Sequence, residues 1–161
     1  MTPQNQKFSF SRQPRVLLIE ARFYPEIADA LVAGALDVFK SHGIAYDRIV
    51  VPGALEIPCA LRLVAGHFDA YVVLGCVIRG QTSHYEIVSE QSARGLMDVS
   101  VRHGLPVGNG ILTCENTDQA YERSDPARGN TGGRAAYAAL CLLDIQIRFP
   151  ESHAVLEGFP V

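Results

Sequence analysis

No two cysteines of the sequence stand in a C-x-x-C arrangement. The four are Cys59, Cys76, Cys114 and Cys141, each in an apolar or mixed segment. Their spacing matches no common zinc signature and gives no disulfide framework, so reduced, buried thiols in a cytoplasmic protein are expected. An excess of positive charge is missing too: 14 Lys and Arg stand against 17 Asp and Glu, a net charge of −3. That balance gives no general attraction to nucleic acid. No uncharged apolar run reaches the ~20 residues of a membrane-spanning helix, and the first residues lack the apolar core of a signal peptide. Neither a nucleic-acid partner nor a membrane is therefore expected. Repeats, linkers and low-complexity tracts are absent as well. At 161 residues the chain reads as one domain, 1–161, with an N-terminal arm over 1–13 and a C-terminal tail over 151–161. Its 48% apolar content is high for a small monomer and points to buried contacts between subunits.

What is present is an alternation of strand and helix patterns. Val16 to Ile19 is a first buried strand. Pro25 suits a first helical position; Ile27, Leu31, Gly34, Ala35 and Val38 mark one helical face, and Gly43 suits the stop. Ile44 to Val51 gives a second strand, and Pro58 opens a short helix ended by Gly66. Ala70 to Ile78 is apolar almost throughout, as in a strand buried on both faces of a parallel sheet. A long helix follows from about His84 to His103, then a fourth strand from Leu105 to Leu112. Asn116 with Gln119 resembles a helix capping box. Gly129 to Gly133 reads as a turn and Ala135 to Arg148 as the last helix. Strands alternating with helices imply crossover connections and a parallel sheet. Lys7-Phe-Ser-Phe10 alternates like a short strand and suits the edge of another sheet.

The chain is organised around Gly75 to Val88, where the third strand ends in the polar turn Arg79-Gly-Gln-Thr-Ser83 and His84 opens a helix. Ligands of open α/β sheets bind outside the carboxyl ends of strands, and a helix N-terminus favours anions. An imidazole there can move protons near neutral pH. Two other motif fragments carry nothing. His84-Tyr-Glu86 fits H-x-E of zinc deaminases, but the later P-C-x-x-C is absent. Gly108-Asn-Gly110 lacks the third glycine of a dinucleotide fingerprint.

Four segments come in one order: Ala21-Arg-Phe23; Val51-Pro-Gly-Ala-Leu-Glu-Ile-Pro58; Gly75-Cys-Val-Ile-Arg-Gly-Gln-Thr-Ser-His-Tyr85; and Gly110 to Arg123, followed by Gly129-Asn130 and Gly132. Together they closely resemble the lumazine synthase family, over roughly residues 14 to 149. The resemblance implies a three-layer α/β sandwich: a four-stranded parallel flavodoxin-like sheet, helices on both faces, and an N-terminal segment joining a neighbouring subunit. It implies a transferase of riboflavin biosynthesis. That enzyme condenses 5-amino-6-(D-ribitylamino)uracil with 3,4-dihydroxy-2-butanone 4-phosphate, giving 6,7-dimethyl-8-ribityllumazine, phosphate and water, without a metal or organic cofactor.

By the same resemblance, Phe23 stacks on the pyrimidine. Ala54, Leu55 and Glu56 meet the ribityl-uracil, and Cys76, Val77 and Ile78 offer backbone groups to the ring. Gln81, Thr82 and Arg123 hold the phosphate, Asn109 stands where a Phe is frequent, and His84 relays protons. Thr131 occupies a position where many members carry a lysine near the phosphate; Arg128, three residues earlier, restores positive charge. The implied partners are the two substrates, inorganic phosphate and further copies of the chain, in a pentamer or a multiple of pentamers with sites shared between neighbours. Two rival readings share the fold: a non-catalytic flavin- or lumazine-binding protein, and a shell-forming scaffold.

Overall fold

The structure, a computed structural model, describes residues 7–150. They form the order β1 (Arg15–Ala21), α1 (Pro25–His42), β2 (Ala45–Val51), α2 (Glu56–Leu63), β3 (Ala70–Ile78), α3 (His84–Arg102), β4 (Val107–Cys114), α4 (Thr117–Ser124) and α5 (Thr131–Arg148). The four strands pair in parallel in the order β2-β1-β3-β4. The alternating pattern implied the parallel sheet, and the flavodoxin-like arrangement with its helices is the one that the family resemblance implied.

The strand periodicity sorts two cores. Val16, Leu18, Val72, Leu74 and Leu112 pack with Leu31, Phe39 and Leu140 from α1 and α5. Leu17, Ile19, Tyr71 and Val73 face the other way, against Ile57 and Leu61 of α2 and Leu96 of α3. Residues Ala70 to Val77 of β3 are buried throughout, as a central strand covered on both faces must be. Among the described residues one charged side chain is fully buried. Glu20 has no exposed surface, and its carboxylate accepts from Arg48 Nε at 2.5 Å and Arg22 Nη1 at 3.2 Å.

Several boundaries differ from the sequence reading, each for a local reason. The α2 helix begins at Glu56, and Pro58 occupies its first turn, where the missing N–H costs nothing. The β4 strand begins at Val107 because Leu105 bonds back to the end of α3: its N–H donates to Ser100 O at 2.9 Å, and its carbonyl accepts from Ser100 Oγ at 2.9 Å. Pro106 has no N–H to give. The strand runs on to Cys114, in register with Ile78. The α5 helix starts at Thr131, so Gly132 and Gly133 belong to its first turn. A Cβ on Gly132 would stand 1.8 Å from Leu31 O, and one on Gly108 would stand 1.9 Å from Ala135 O. Those glycines let α5 lie directly on the backbones of α1 and β4.

Residues 7–13 form no strand in the single chain. Phe8 and Phe10 stack at 5.8 Å, and Phe8 lies 5.3 Å from His42 and 5.4 Å from Tyr137. Pairing of this arm with a neighbour's sheet involves a second chain. The rest of the arm, 1–6, and the tail expected over 151–161 lie outside the described residues.

Candidate active site

The carboxyl ends of β1, β2 and β3 open onto a cavity of about 450 Å³. Its first wall is the turn after β1. Phe23 is 70% exposed there, with its ring edge-on to Tyr24 at 5.0 Å. The turn is anchored just before that ring. Arg22 pairs with the buried Glu20 and, at 2.8 Å, with Asp29. A large apolar ring is thus held in the open by charges on the residue before it, ready for a flat ligand.

The second wall follows β2, where Ala54, Leu55 and Glu56 line the cavity. Ala54 is buried, while Leu55 and the Glu56 carboxylate at the start of α2 are exposed. Cys76, Val77 and Ile78 of β3 also line it. Burial first, and then the neighbouring Cys114 thiol, push the Cys76 thiol up to about 12. It is therefore a poor nucleophile. Cys114 is raised as well, chiefly by burial.

The third wall is the turn into α3. Thr82, His84 and Tyr85 line the cavity. The His84 N–H donates to Thr82 Oγ1 at 3.4 Å, and Ser83 makes no side-chain cap, so the first turn of α3 keeps amide groups for a ligand. Gln81 is exposed in this turn but lines neither cavity described here.

Arg79, quoted in the motif but given no role by it, holds this wall in place. Its N–H donates to Cys114 O at 2.9 Å, its Nε bonds Glu115 at 2.6 Å and its Nη1 bonds Glu86. The guanidinium lies 4.1 Å from the centre of the Tyr85 ring. These contacts tie the loop after β3, the first turn of α3 and the loop after β4 together. The hydrogen bond from Arg79 holds the Glu86 carboxyl below its ordinary value.

Asn109 and Arg123 stand apart from this cavity. They line a second cleft of about 410 Å³ with Thr113, Thr131 and Arg134, and the two linings share no residue. Asn109 Oδ1 accepts from Ile111 N at 2.9 Å, which leaves its amide nitrogen as the donor available to the cleft. Arg123 is carried by α4. Asn116 caps that helix, accepting from Gln119 N at 3.0 Å; Gln119 Oε1 accepts in turn from Glu115 N at 3.0 Å. Arg128 does not line the cleft; its Nε is committed to Asp125 at 2.9 Å. The additional charge in the cleft is Arg134, which the sequence reading did not single out. Its signal was the spacing from Thr131: three residues along a helix share a face. Among the described residues no group of three His, Cys, Asp or Glu could hold a metal ion.

These are the features of a flavodoxin-like α/β protein with a small-molecule site at the carboxyl edge of its sheet. Residues 13–146 match the family model described as 6,7-dimethyl-8-ribityllumazine synthase, and the chain belongs to that family, transferases of riboflavin biosynthesis. It is 49% identical over 144 residues to the 6,7-dimethyl-8-ribityllumazine synthase of Bartonella tribocorum, covering 88% of this chain and 95% of that protein. It is 50% identical over 137 residues to the protein of that name from Erythrobacter litoralis, covering 84% and 97%. The Azorhizobium caulinodans protein of that name is 50% identical over 141 residues, covering 83% and 87%.

Proposed function

We infer that the chain condenses 5-amino-6-(D-ribitylamino)uracil with 3,4-dihydroxy-2-butanone 4-phosphate to 6,7-dimethyl-8-ribityllumazine, releasing phosphate and water. The observation that carries this reading, beside family membership, is a single cavity joining an exposed ring, a carboxylate and an imidazole at a helix start: Phe23, Glu56 and His84. Phe23 stacks on the pyrimidine, Glu56 and its neighbours meet the ribityl chain, and backbone groups of Cys76 to Ile78 read the uracil edge. Gln81 and Thr82, at the uncapped start of α3, receive the phosphate.

The uracil's 5-amino group attacks the ketone, and the carbinolamine loses water to an imine. Phosphate then leaves, and the ribitylamino nitrogen closes the second ring on the adjacent carbonyl carbon with loss of a second water. His84 takes and returns protons through dehydration and elimination, help typically worth about 10²–10⁴-fold. Holding two reactants in register contributes more than any proton transfer.

The active assembly is a cyclic pentamer, or a multiple of it, with each site shared by two subunits. The separation of His84 from Arg123 into clefts with no common lining residue supports this. Exposed apolar side chains on α3 and α5, among them Ile87, Met97, Leu142 and Ile145, support it further. Head-to-tail contacts of this kind close into rings. No helix among the described residues is long and apolar enough to cross a membrane. Four free thiols suit the reducing cytoplasm.

Mixing purified protein with both substrates tests the reading. Lumazine absorbance should grow with equimolar release of phosphate, above the uncatalysed rate. Tight binding of lumazine or flavin without turnover would favour the binding-protein reading instead.

A further inference from the structure

We propose that Arg134 is a second phosphate-binding side chain of this enzyme, acting across the cleft from Arg123. The proposal rests on the reading of Arg123 as a phosphate ligand and extends it. Two arginines, Arg123 from α4 and Arg134 from α5, line one cleft. The rest of the lining is neutral: the apolar Ile111, Leu112, Ala135 and Ala138 and the polar Asn109, Thr113 and Thr131, with no carboxylate. Among the described residues neither guanidinium has an ion-pair or hydrogen-bond partner. Arg22, Arg48, Arg79 and Arg128, by contrast, all reach a carboxylate. Two like charges around one small space repel, and the arrangement becomes favourable when a doubly charged anion enters between them. Planar forks of N–H donors match phosphate oxygens.

The backbone under Arg134 is fixed. Its N–H donates to Asn130 O at 3.0 Å, Asn130 Oδ1 accepts from Gly133 N at 3.1 Å, and Gly132 is pressed against α1. One turn further on, Ala138 also lines the cleft. Positive charge near Thr131 was expected from Arg128. The geometry assigns it to Arg134, because Arg128 is paired with Asp125 and does not line the cleft.

The test uses the assembled enzyme at constant ionic strength. Initial rates are measured with each substrate varied in turn and with orthophosphate as inhibitor, for Arg134→Gln, Arg134→Lys, Arg123→Ala and Arg128→Ala. Assembly size is checked for each by light scattering. For Arg134→Gln we expect the KM of the butanone phosphate and the inhibition constant of orthophosphate to rise together by about tenfold. The KM of the uracil should stay within about twofold. Arg134→Lys should recover most of the loss, and Arg128→Ala should resemble wild type. Unchanged phosphate affinities in Arg134→Gln, with Arg123→Ala impaired, would overturn the assignment and leave the Arg123 reading standing. If Arg123→Ala is also unimpaired, the underlying reading falls and takes this one with it. Equal losses for both substrates, or a matching loss in Arg128→Ala, would reduce Arg134 to a structural or general electrostatic role and defeat the proposal.

Discussion

The Tyr121 hydroxyl donates to Glu26 at 2.6 Å, joining the helix that carries Arg123 to the first turn of the helix that follows Phe23. The bond with Glu26 raises the Tyr121 phenol above its ordinary value. A group raised in the folded state contributes below its unfolded value, and the contribution is lost as pH climbs through the folded one. The tie is therefore intact across neutral pH and fails only in strong alkali.

Tyr121→Phe removes that bond while keeping the ring. The expected result is a rise of a few-fold in the KM of the butanone phosphate, with kcat nearly unchanged. Steady-state kinetics with each substrate varied separately will show it. An unaltered KM would mean that α4 is held by its other contacts alone.

Arg79→Ala should slow turnover and lower the melting temperature, since it frees His84's helix from both flanking loops. Its pH signature is specific. Glu86 is depressed by its bond to Arg79, so the stabilisation is present above the usual carboxylate range and lost as pH falls through the depressed value. Thermal scans from pH 7 to pH 3 should find the gap between wild type and variant closing in acid. A gap constant with pH would separate the stability loss from that ion pair.

Gly132→Ala adds a Cβ 1.8 Å from Leu31 O. The obstacle is backbone, so α5 must shift off α1, and overpacking of this kind costs about 1–3 kcal/mol or more. Urea denaturation should show a lower midpoint with an unchanged slope. A midpoint equal to wild type would show that the two helices can separate without loss.

Shared sites make a prediction that single-chain sites cannot. His84→Ala and Arg123→Ala are each expected to be poor catalysts. Co-expressed and randomly mixed, roughly a quarter of the interfaces regain both native residues. Activity should then rise well above either variant alone. Mixed rings, verified by mass spectrometry, whose activity stays at the variants' average would place each site within one subunit.

Much of the fold was legible because its strongest signals were apolar runs. Ala70 to Ile78 could hardly be anything but a central strand, and its bounds are those observed. Helix starts were misjudged where Pro58, Gly132 and Gly133 were taken as punctuation. A proline is harmless in a first turn, and glycines at a close helix crossing serve packing rather than turning. The convergence of Phe23, Glu56 and His84 was readable because all three follow strand ends of one sheet. Arg134 was readable only in part: its spacing from Thr131 put both on one helical face, but spacing cannot tell which arginine of a stretch already has a carboxylate. Asp125 takes Arg128 and leaves Arg134 for the cleft. Glu20 was equally hidden, because nothing in a strand sequence marks the one polar residue that two cations will cover.

That covered carboxylate matters to anyone engineering this chain. Arg48 is partly exposed on an outer strand and looks like a convenient handle for a dye, a tether or a neutral replacement. Taking its charge away would leave the buried Glu20 with Arg22 as its remaining cation, and stability should fall because the buried carboxylate loses part of its compensation. The disturbance would run along Arg22 into the turn that carries Phe23, so a modification at the outer edge of the sheet would be felt in the cavity. Arg62, on the outer side of α2 and absent from both cavities, is the safer handle.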